Sequence, residues 1–215
     1  MDTLFNNLDV FTEGFKNTLI LFFCSAVIAL VLGSIVGAFR VSPVSSMRAV
    51  GTFYVNTIRN TPLTLLMFFF AFGYPKLQLP EISYMNLAII ALSIYTATYV
   101  AETLRSGINT VPVGQAEAAR AIGLPFGKTM TLVIVPQAFR AVIPPMMSVF
   151  IALLKNTTVA AGFSVMEAGA IKNYLSERGE PAIVGLLWVA LIFILLVSLL
   201  SLWQRKLESK WKVAR

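Results

Sequence analysis

Five stretches of this chain are apolar for long enough to matter to a lipid bilayer, and they narrow the possible folds sharply. A helix needs about 20 mostly apolar residues to cross the hydrocarbon core. Inside that core only helices and closed barrels satisfy their own backbone groups. The stretches run approximately 15–39, 63–73, 85–104, 142–161 and 183–203. They are continuous blocks, with no alternation at strand period. Charged residues make up only 13% of the chain and hydrophobic ones 57%, whereas soluble domains carry about 25% charged residues. The expected architecture is an all-α membrane protein of five transmembrane helices, one domain over 1–215 with its core at about 15–206.

The second block is the shortest. The stretch before it, from Ser46 to Arg59, mixes small, apolar and basic residues and reads as an interfacial helix leading into the span. Thr61-Pro62 reads either as an N-cap and first helical position or as a kink between the two pieces. At the N-terminus Asp2, Asp9 and Glu13 stand where a signal peptide would carry positive charge, so the first span is expected to be retained. The chain has no histidine and a single cysteine, Cys24. No disulfide pair can form, and no metal site is expected.

Basic residues set the orientation. Arg40, Arg48 and Arg59 lie between spans one and two, and Arg105, Arg120, Lys128 and Arg140 between three and four. Arg205, Lys206, Lys210, Lys212 and Arg215 form the tail. These twelve of the seventeen basic residues fall on one side, leaving Lys16, Lys76, Lys155, Lys172 and Arg178 on the other. Positive loops favour the cytoplasm, so the N-terminus is expected outside and the C-terminus inside. The net charge of +7 reflects this topology, and no nucleic-acid partner is needed to explain it.

The segment of about 106–140 is the most informative loop. Gln115-Ala116-Glu117-Ala118-Ala119-Arg120-Ala121-Ile122-Gly123 follows Pro112. Alanine, glutamate and arginine favour a helix, proline suits its first turn and glycine its end. A second short helix, 126–135, is expected after Pro125 and is expected to stop before Pro136. The pair could be an ordinary hairpin at the membrane surface, although Ala116, Ala118, Ala119 and Gly123 also suit close packing against another protein.

Glu117-Ala118-Ala119, then Gly123, then Val133-Ile134-Val135-Pro136 resemble the EAA loop of ABC importer permeases. That pattern usually ends Ile-x-Leu-Pro; valine at both apolar positions keeps the chemistry. Arg59-Asn60-Thr61-Pro62-Leu63, the run from Tyr95 to Ile108, and Lys155-Asn156-Thr157-Thr158 resemble the polar amino acid branch, which serves histidine, glutamine, glutamate and arginine. Arg40-Val41-Ser42-Pro43 and the run from Ser106 to Val111 resemble, in their wording, the glutamate permeases of actinobacteria. The resemblance implies the type I ABC importer permease fold in a bacterial plasma membrane, carrying glutamate or glutamine. It implies that Glu117, Ala118, Ala119, Gly123 and Pro136 belong to the surface that couples to the ATPase. It also implies the partners: two ATPase subunits holding ATP and Mg, a second permease (a paralogue or an identical copy), and an extracellular solute-binding protein. No cofactor is expected in this chain, and no catalysis.

Gly123-Leu124-Pro125-Phe126-Gly127-Lys128-Thr129 invites comparison with a phosphate-binding loop. It has three residues between its glycines where four are required, and a helix precedes it where a strand should. The energy source must be a separate subunit.

Polar groups within a span often mark a transport path. Tyr95, Thr96, Thr98, Tyr99 and Glu102 lie in span three, and Tyr95, Thr98, Tyr99 and Glu102 share one helix face. Asn156, Thr157 and Thr158 near the outer end of span four are the best candidates for substrate contact, with Tyr95, Thr98 and Lys155 beside them. The alternative for each is helix–helix hydrogen bonding, and Lys155 could instead reach the outer headgroups. Glu102 and Arg105, one turn apart, are expected to pair. Ala29, Gly33 and Gly37 have the spacing of a close helix contact, with either this chain or a second permease. A short connecting helix is expected at 166–175. An ion-coupled secondary transporter is the alternative function; it would show broken helices at mid-membrane and internal repeats, and the sequence makes neither evident.

Overall fold

The structure, a computed structural model, describes residues 2–211; Lys212 and Arg215 of the basic tail lie outside the described residues. A helical turn, α1 (Asp2–Phe5), precedes the long α2 (Leu8–Val41). Next come α3 (Ser45–Arg59), α4 (Leu63–Phe68), α5 (Tyr84–Asn109), α6 (Val113–Ala121) and α7 (Phe126–Lys128). The chain closes with α8 (Val135–Asn156), α9 (Ile171–Glu177) and α10 (Ala182–Trp211). Among the described residues four helical stretches are long and apolar enough to cross a membrane: Leu8–Val41, Tyr84–Asn109, Phe126–Phe163 and Ala182–Ser209.

The region of the expected second span is broken. α3 carries the amphipathic lead-in, and a shorter apolar helical stretch, Leu63–Leu77, follows it. Thr61 donates to the carbonyl of Thr57 (2.8 Å), and Pro62 is extended, with ψ 135. The kink is therefore real, with Pro62 at the cap and Leu63 first in the helix. Proline disfavours helical geometry in the residue before it and has no N–H to give. Beyond α4 the helix widens into a π turn at Phe69–Gly73 and then tightens into a 3-10 turn at Tyr74–Leu77.

Small residues hold the bundle together. Ala29 is fully buried, and a Cβ on Gly33 or Gly37 would run into Val100 and Ala97 or into Leu104 of α5. The close-contact motif of the first span is thus satisfied within this chain. The main core gathers Leu21, Met67, Leu92, Leu153 and Phe163, so α4 packs against α2, α5 and α8 despite the break before it.

One expectation fails. The helix that begins at Phe126 does not stop before Pro136. It continues through a π turn at Thr129–Ile134 into α8 and a 3-10 turn at Thr157–Phe163. Val135 donates back to Met130, one residue further than in an α-helix. That wider turn eases the crowding a proline ring would impose on the preceding turn and leaves no orphaned donor at Pro136.

At the end of the bundle opposite α6, the connection before α10 is stapled to the start of the chain. Thr3 donates to Glu180 (3.1 Å), Arg178 to Asn7 (3.0 Å) and to both carboxylate oxygens of Asp9, and Asn17 to the carbonyl of Met166 (2.7 Å). The expected connecting helix begins at Ala168 as a 3-10 turn and becomes α9, because Glu167 caps it by accepting from the Gly169 N–H at 2.7 Å. Glu167 is fully buried and also accepts from the Thr18 hydroxyl (3.3 Å). Burial outweighs these donors and pushes its carboxyl up to about 7. Between an ordinary carboxyl value and about 7 the folded chain keeps a proton that the unfolded chain has released, so stability falls as pH rises through that window. The thermal midpoint is expected to be lower at pH 8 than at pH 5, with up to about 3 kcal/mol at stake. Glu167→Gln should flatten that difference; an equal pH dependence in the variant would refute the assignment.

Candidate functional site

Tyr95 and Tyr99 sit one turn apart on α5, with hydroxyls 3.0 Å apart and ring centroids at 5.3 Å. At 1.5 Å per residue Tyr99 is about 22 Å from one end of α5 and about 15 Å from the other. The pair therefore lies well inside the length of α5, and both rings are half-buried. With Thr96 on the same helix, and Ser148, Ala152 and Asn156 on α8, the two tyrosines line a cleft of about 440 Å³. Ligand pockets commonly fall in the range of about 300–1,000 Å³. Ser148 also accepts from Gln204 of α10 (2.9 Å).

Of the six expected pathway residues, the structure brings two, Tyr95 and Asn156, to this cleft. Thr98 is fully buried and donates to the carbonyl of Tyr95 (2.7 Å). Thr157 is equally buried and donates to Leu154 (2.7 Å). Such back-bonding to the preceding turn is how a hydroxyl settles in an apolar helix. Lys155 and Thr158 leave on the other side of α8, where they line a groove of about 370 Å³ with Phe193, Ile194 and Ser198 of α10. Successive helical residues point about 100° apart, so the run from Lys155 to Thr158 is divided between cleft, core and groove.

Three arginines meet side chains of α5, and one of them, Arg105, is on that helix. Arg40 of α2 and Arg105 both donate to the carboxylate of Glu102, joining α2 to α5. The expected Glu102–Arg105 pair is present, and Arg40, 62 residues away, is the partner that spacing alone could not reveal. Arg59 is different. Its guanidinium lies over the ring of Tyr99, 5.5 Å from the centroid, and among the described residues no carboxylate pairs with it. Sequence reasoning counted Arg59 as a loop cation; its position just before Pro62 was the available signal for a break in the span.

A second candidate surface lies at the α6 end. The helix α6 starts after Pro112 and ends in a paired hydrogen-bond closure, with Gly123 donating to Arg120 (2.9 Å) and Leu124 to Ala119 (3.1 Å). That closure requires a left-handed residue, and Gly123 has φ +82. Ala119 faces inward, while Glu117, Ala118, Gly123 and Pro136 are exposed. Val113 and Ile122 are 73% and 78% exposed, and Phe126 and Leu132 are also on the surface. An apolar patch of this kind marks a contact with another protein or with a membrane.

Among the described residues no cluster of three or more histidine, cysteine, aspartate or glutamate side chains is placed to hold a metal ion.

Residues 29–213 match the family described as the binding-protein-dependent transport system inner membrane component. The chain is 46% identical to the glutamate transport system permease protein GluC of Corynebacterium glutamicum, over 72% of this chain and 72% of that protein. It is 33% identical to the probable glutamine ABC transporter permease protein GlnM of Bacillus subtilis, over 96% of this chain and 95% of the relative. Among solved structures, an amino acid ABC transporter crystallised with histidines superposes with a TM-score of 0.88 at 26% identity, covering 94% of this chain and 96% of the other.

Proposed function

Since this chain belongs to the family of binding-protein-dependent transport system inner membrane components, we propose that it is the permease subunit of an ATP-driven importer that carries glutamate, or else glutamine, into a bacterial cell. It is a multi-pass protein of the plasma membrane. In this reading the chain crosses five times, with α3 and the Leu63–Leu77 stretch making the second crossing together, the N-terminus outside and the C-terminus in the cytoplasm. The basic residues between the crossings support that orientation. The single transport domain pairs with a second permease, a paralogue in the glutamate reading, and receives its amino acid from an extracellular solute-binding protein. Lipid surrounds its outer faces. ATP and Mg bind the ATPase subunits alone, so this chain is not itself an enzyme.

The observation that carries the reading is the α6–α7 corner at about 106–140. Its exposed apolar side chains and its glycine-closed turn present a preformed surface to a cytoplasmic partner, on the opposite end of the chain's bundle from Glu167. A hinge of ATPase subunits docked there would move the helix that runs without interruption from Phe126 to Phe163, whose α8 portion lines the cleft. Copurification with an ATPase and ATP-driven uptake in reconstituted vesicles test it. Glu117→Lys and Gly123→Trp should each cut uptake at least tenfold, by analogy with other central interface positions, without lowering the amount of permease in the membrane. Uptake at the unaltered rate would defeat the coupling assignment.

The break between α3 and α4 is also a feature of ion-coupled transporters. Uptake that survives ATP depletion and collapses with the ion gradient would favour that reading; family membership weighs against it.

A further inference from the structure

An arginine beside the crossings of a membrane protein is commonly paired with a carboxylate, and one that is not is a candidate for function. Two of the arginines around α5 meet that condition within the chain, because Arg40 and Arg105 share the carboxylate of Glu102. Arg59 does not. It stands exposed at the end of α3, where Asn60 to Pro62 interrupt the second crossing, over the half-buried ring of Tyr99. Among the described residues its nearest charged-group chemistry is the π face of Tyr99, and a cation–π contact leaves all five guanidinium N–H donors available.

Tyr99 is also a wall of the α5–α8 cleft, and its hydroxyl is paired with that of Tyr95. The cleft adds Thr96, Ser148 and Asn156, all neutral donors and acceptors. Neutral groups of this kind suit an ammonium or an amide. The cleft and its rim are short of one thing that every amino acid needs matched, a positive charge for its α-carboxylate, and Arg59 is the cation nearest to hand. A guanidinium carries a planar fork of donors that fits a carboxylate through two parallel hydrogen bonds. Lys155 cannot serve, because it lines the groove against α10 on the far side of α8.

We propose that Arg59, lying over the ring of Tyr99 at the broken second crossing, anchors the α-carboxylate of the transported amino acid at the rim of the Tyr95–Asn156 cleft. This rests on the importer reading above. It differs from that reading in assigning Arg59 to the part of the substrate common to all amino acids, leaving the side chain to be read elsewhere.

The test uses the whole complex in lipid nanodiscs, with labelled glutamate and glutamine as probes and their α-amides as competitors. The unaltered complex should bind the free amino acids at least tenfold more tightly than the α-amides. Arg59→Gln should weaken binding of the free amino acid about 30-fold or more, the scale of losing one partner of a desolvated charge pair, and erase the preference over the α-amide. Arg59→Lys should recover part of both. Unaltered affinity in Arg59→Gln, or a preference over the α-amide that survives in it, would overturn the proposal. So would loss of assembly with the ATPase in both variants, which would make Arg59 structural. If the unaltered complex drives no amino acid uptake with ATP, the importer reading itself falls, and that outcome is separate from any effect of Arg59.

Discussion

Gly33→Leu is expected to remove most of the folded permease from the membrane. A Cβ placed on Gly33 would lie 2.5 Å from the Cβ of Val100, 2.6 Å from its Cγ1 and 2.8 Å from the carbonyl oxygen of Ala97. None of these atoms is the free end of a flexible chain. Val100 is β-branched and has little rotamer choice in a helix, and the carbonyl belongs to the backbone of α5. Relief therefore requires α2 and α5 to move apart along the contact where Ala29, Ala97 and Val100 are fully buried. Inserting a few methylenes into a packed interior costs about 1–3 kcal/mol even when side chains can adjust. A leucine pressed against backbone exceeds that range, and total stabilities are only about 5–15 kcal/mol. Gly37→Ala gives the contrast. Its Cβ would stand 3.3 Å from the Leu104 Cβ, a misfit of a few tenths of an ångström that a small shift absorbs. Monodisperse yield and thermal midpoint after detergent extraction report both variants. A Gly33→Leu protein as stable as the parent would mean that α2 and α5 do not meet at this face.

The second large effect concerns the charge cluster at the same helix pair. Glu102→Ala takes away the carboxylate shared by Arg40 and Arg105 and leaves two guanidinium groups facing each other. The Arg40 side chain is only 12% exposed, and its Nε is buried without a hydrogen-bond partner among the described residues. Removing one member of a largely buried ion pair costs about 3 kcal/mol, mostly through the charge left behind. The distinguishing measurement is a double-mutant cycle. Arg40→Met in the Glu102→Ala background should restore part of the lost stability, because it removes the stranded cation. If the double variant is less stable than Glu102→Ala, the cluster is held together by something other than charge pairing.

The sequence made the long elements plain and left their facings obscure. Apolar runs located the helices at α2, α5, α8 and α10, because solvent hydrocarbon selects for length and apolarity and both are visible locally. Pro136 misled, since a proline in isolation reads as a stop, and only the wider turn before it lets the helix go on. Thr98 and Thr157 were hard to place for another reason. The periodicity that placed Thr98 on one face with Tyr95 and Tyr99 cannot say which edge of that face is core, and a hydroxyl bonded to its own helix needs no pathway. Arg40 and Glu102 meet across 62 residues, a contact no local spacing encodes. The turn at Gly123 was the opposite case: its geometry depends on a few adjacent residues, and the glycine announced it.

The stapled end of the bundle has a consequence for how the chain is made. Thr18 and Asn17 belong to the first long helix to leave the ribosome, yet their partners Glu167 and Met166 come 149 residues later. At roughly 5–20 residues per second of synthesis, these partners follow roughly 7–30 s later, and until then the Thr18 hydroxyl has only the Gly14 carbonyl of its own helix. Asp9 and Arg178 wait longer still, across 169 residues. During that interval the Asn17 amide lacks the Met166 carbonyl, and the first helix reaches its final contacts only after the later segment has been placed beside it. A truncation before Met166 therefore leaves the early helix without the partners of Asn17 and Thr18 at its polar end, so this end of the bundle is completed only late in translation.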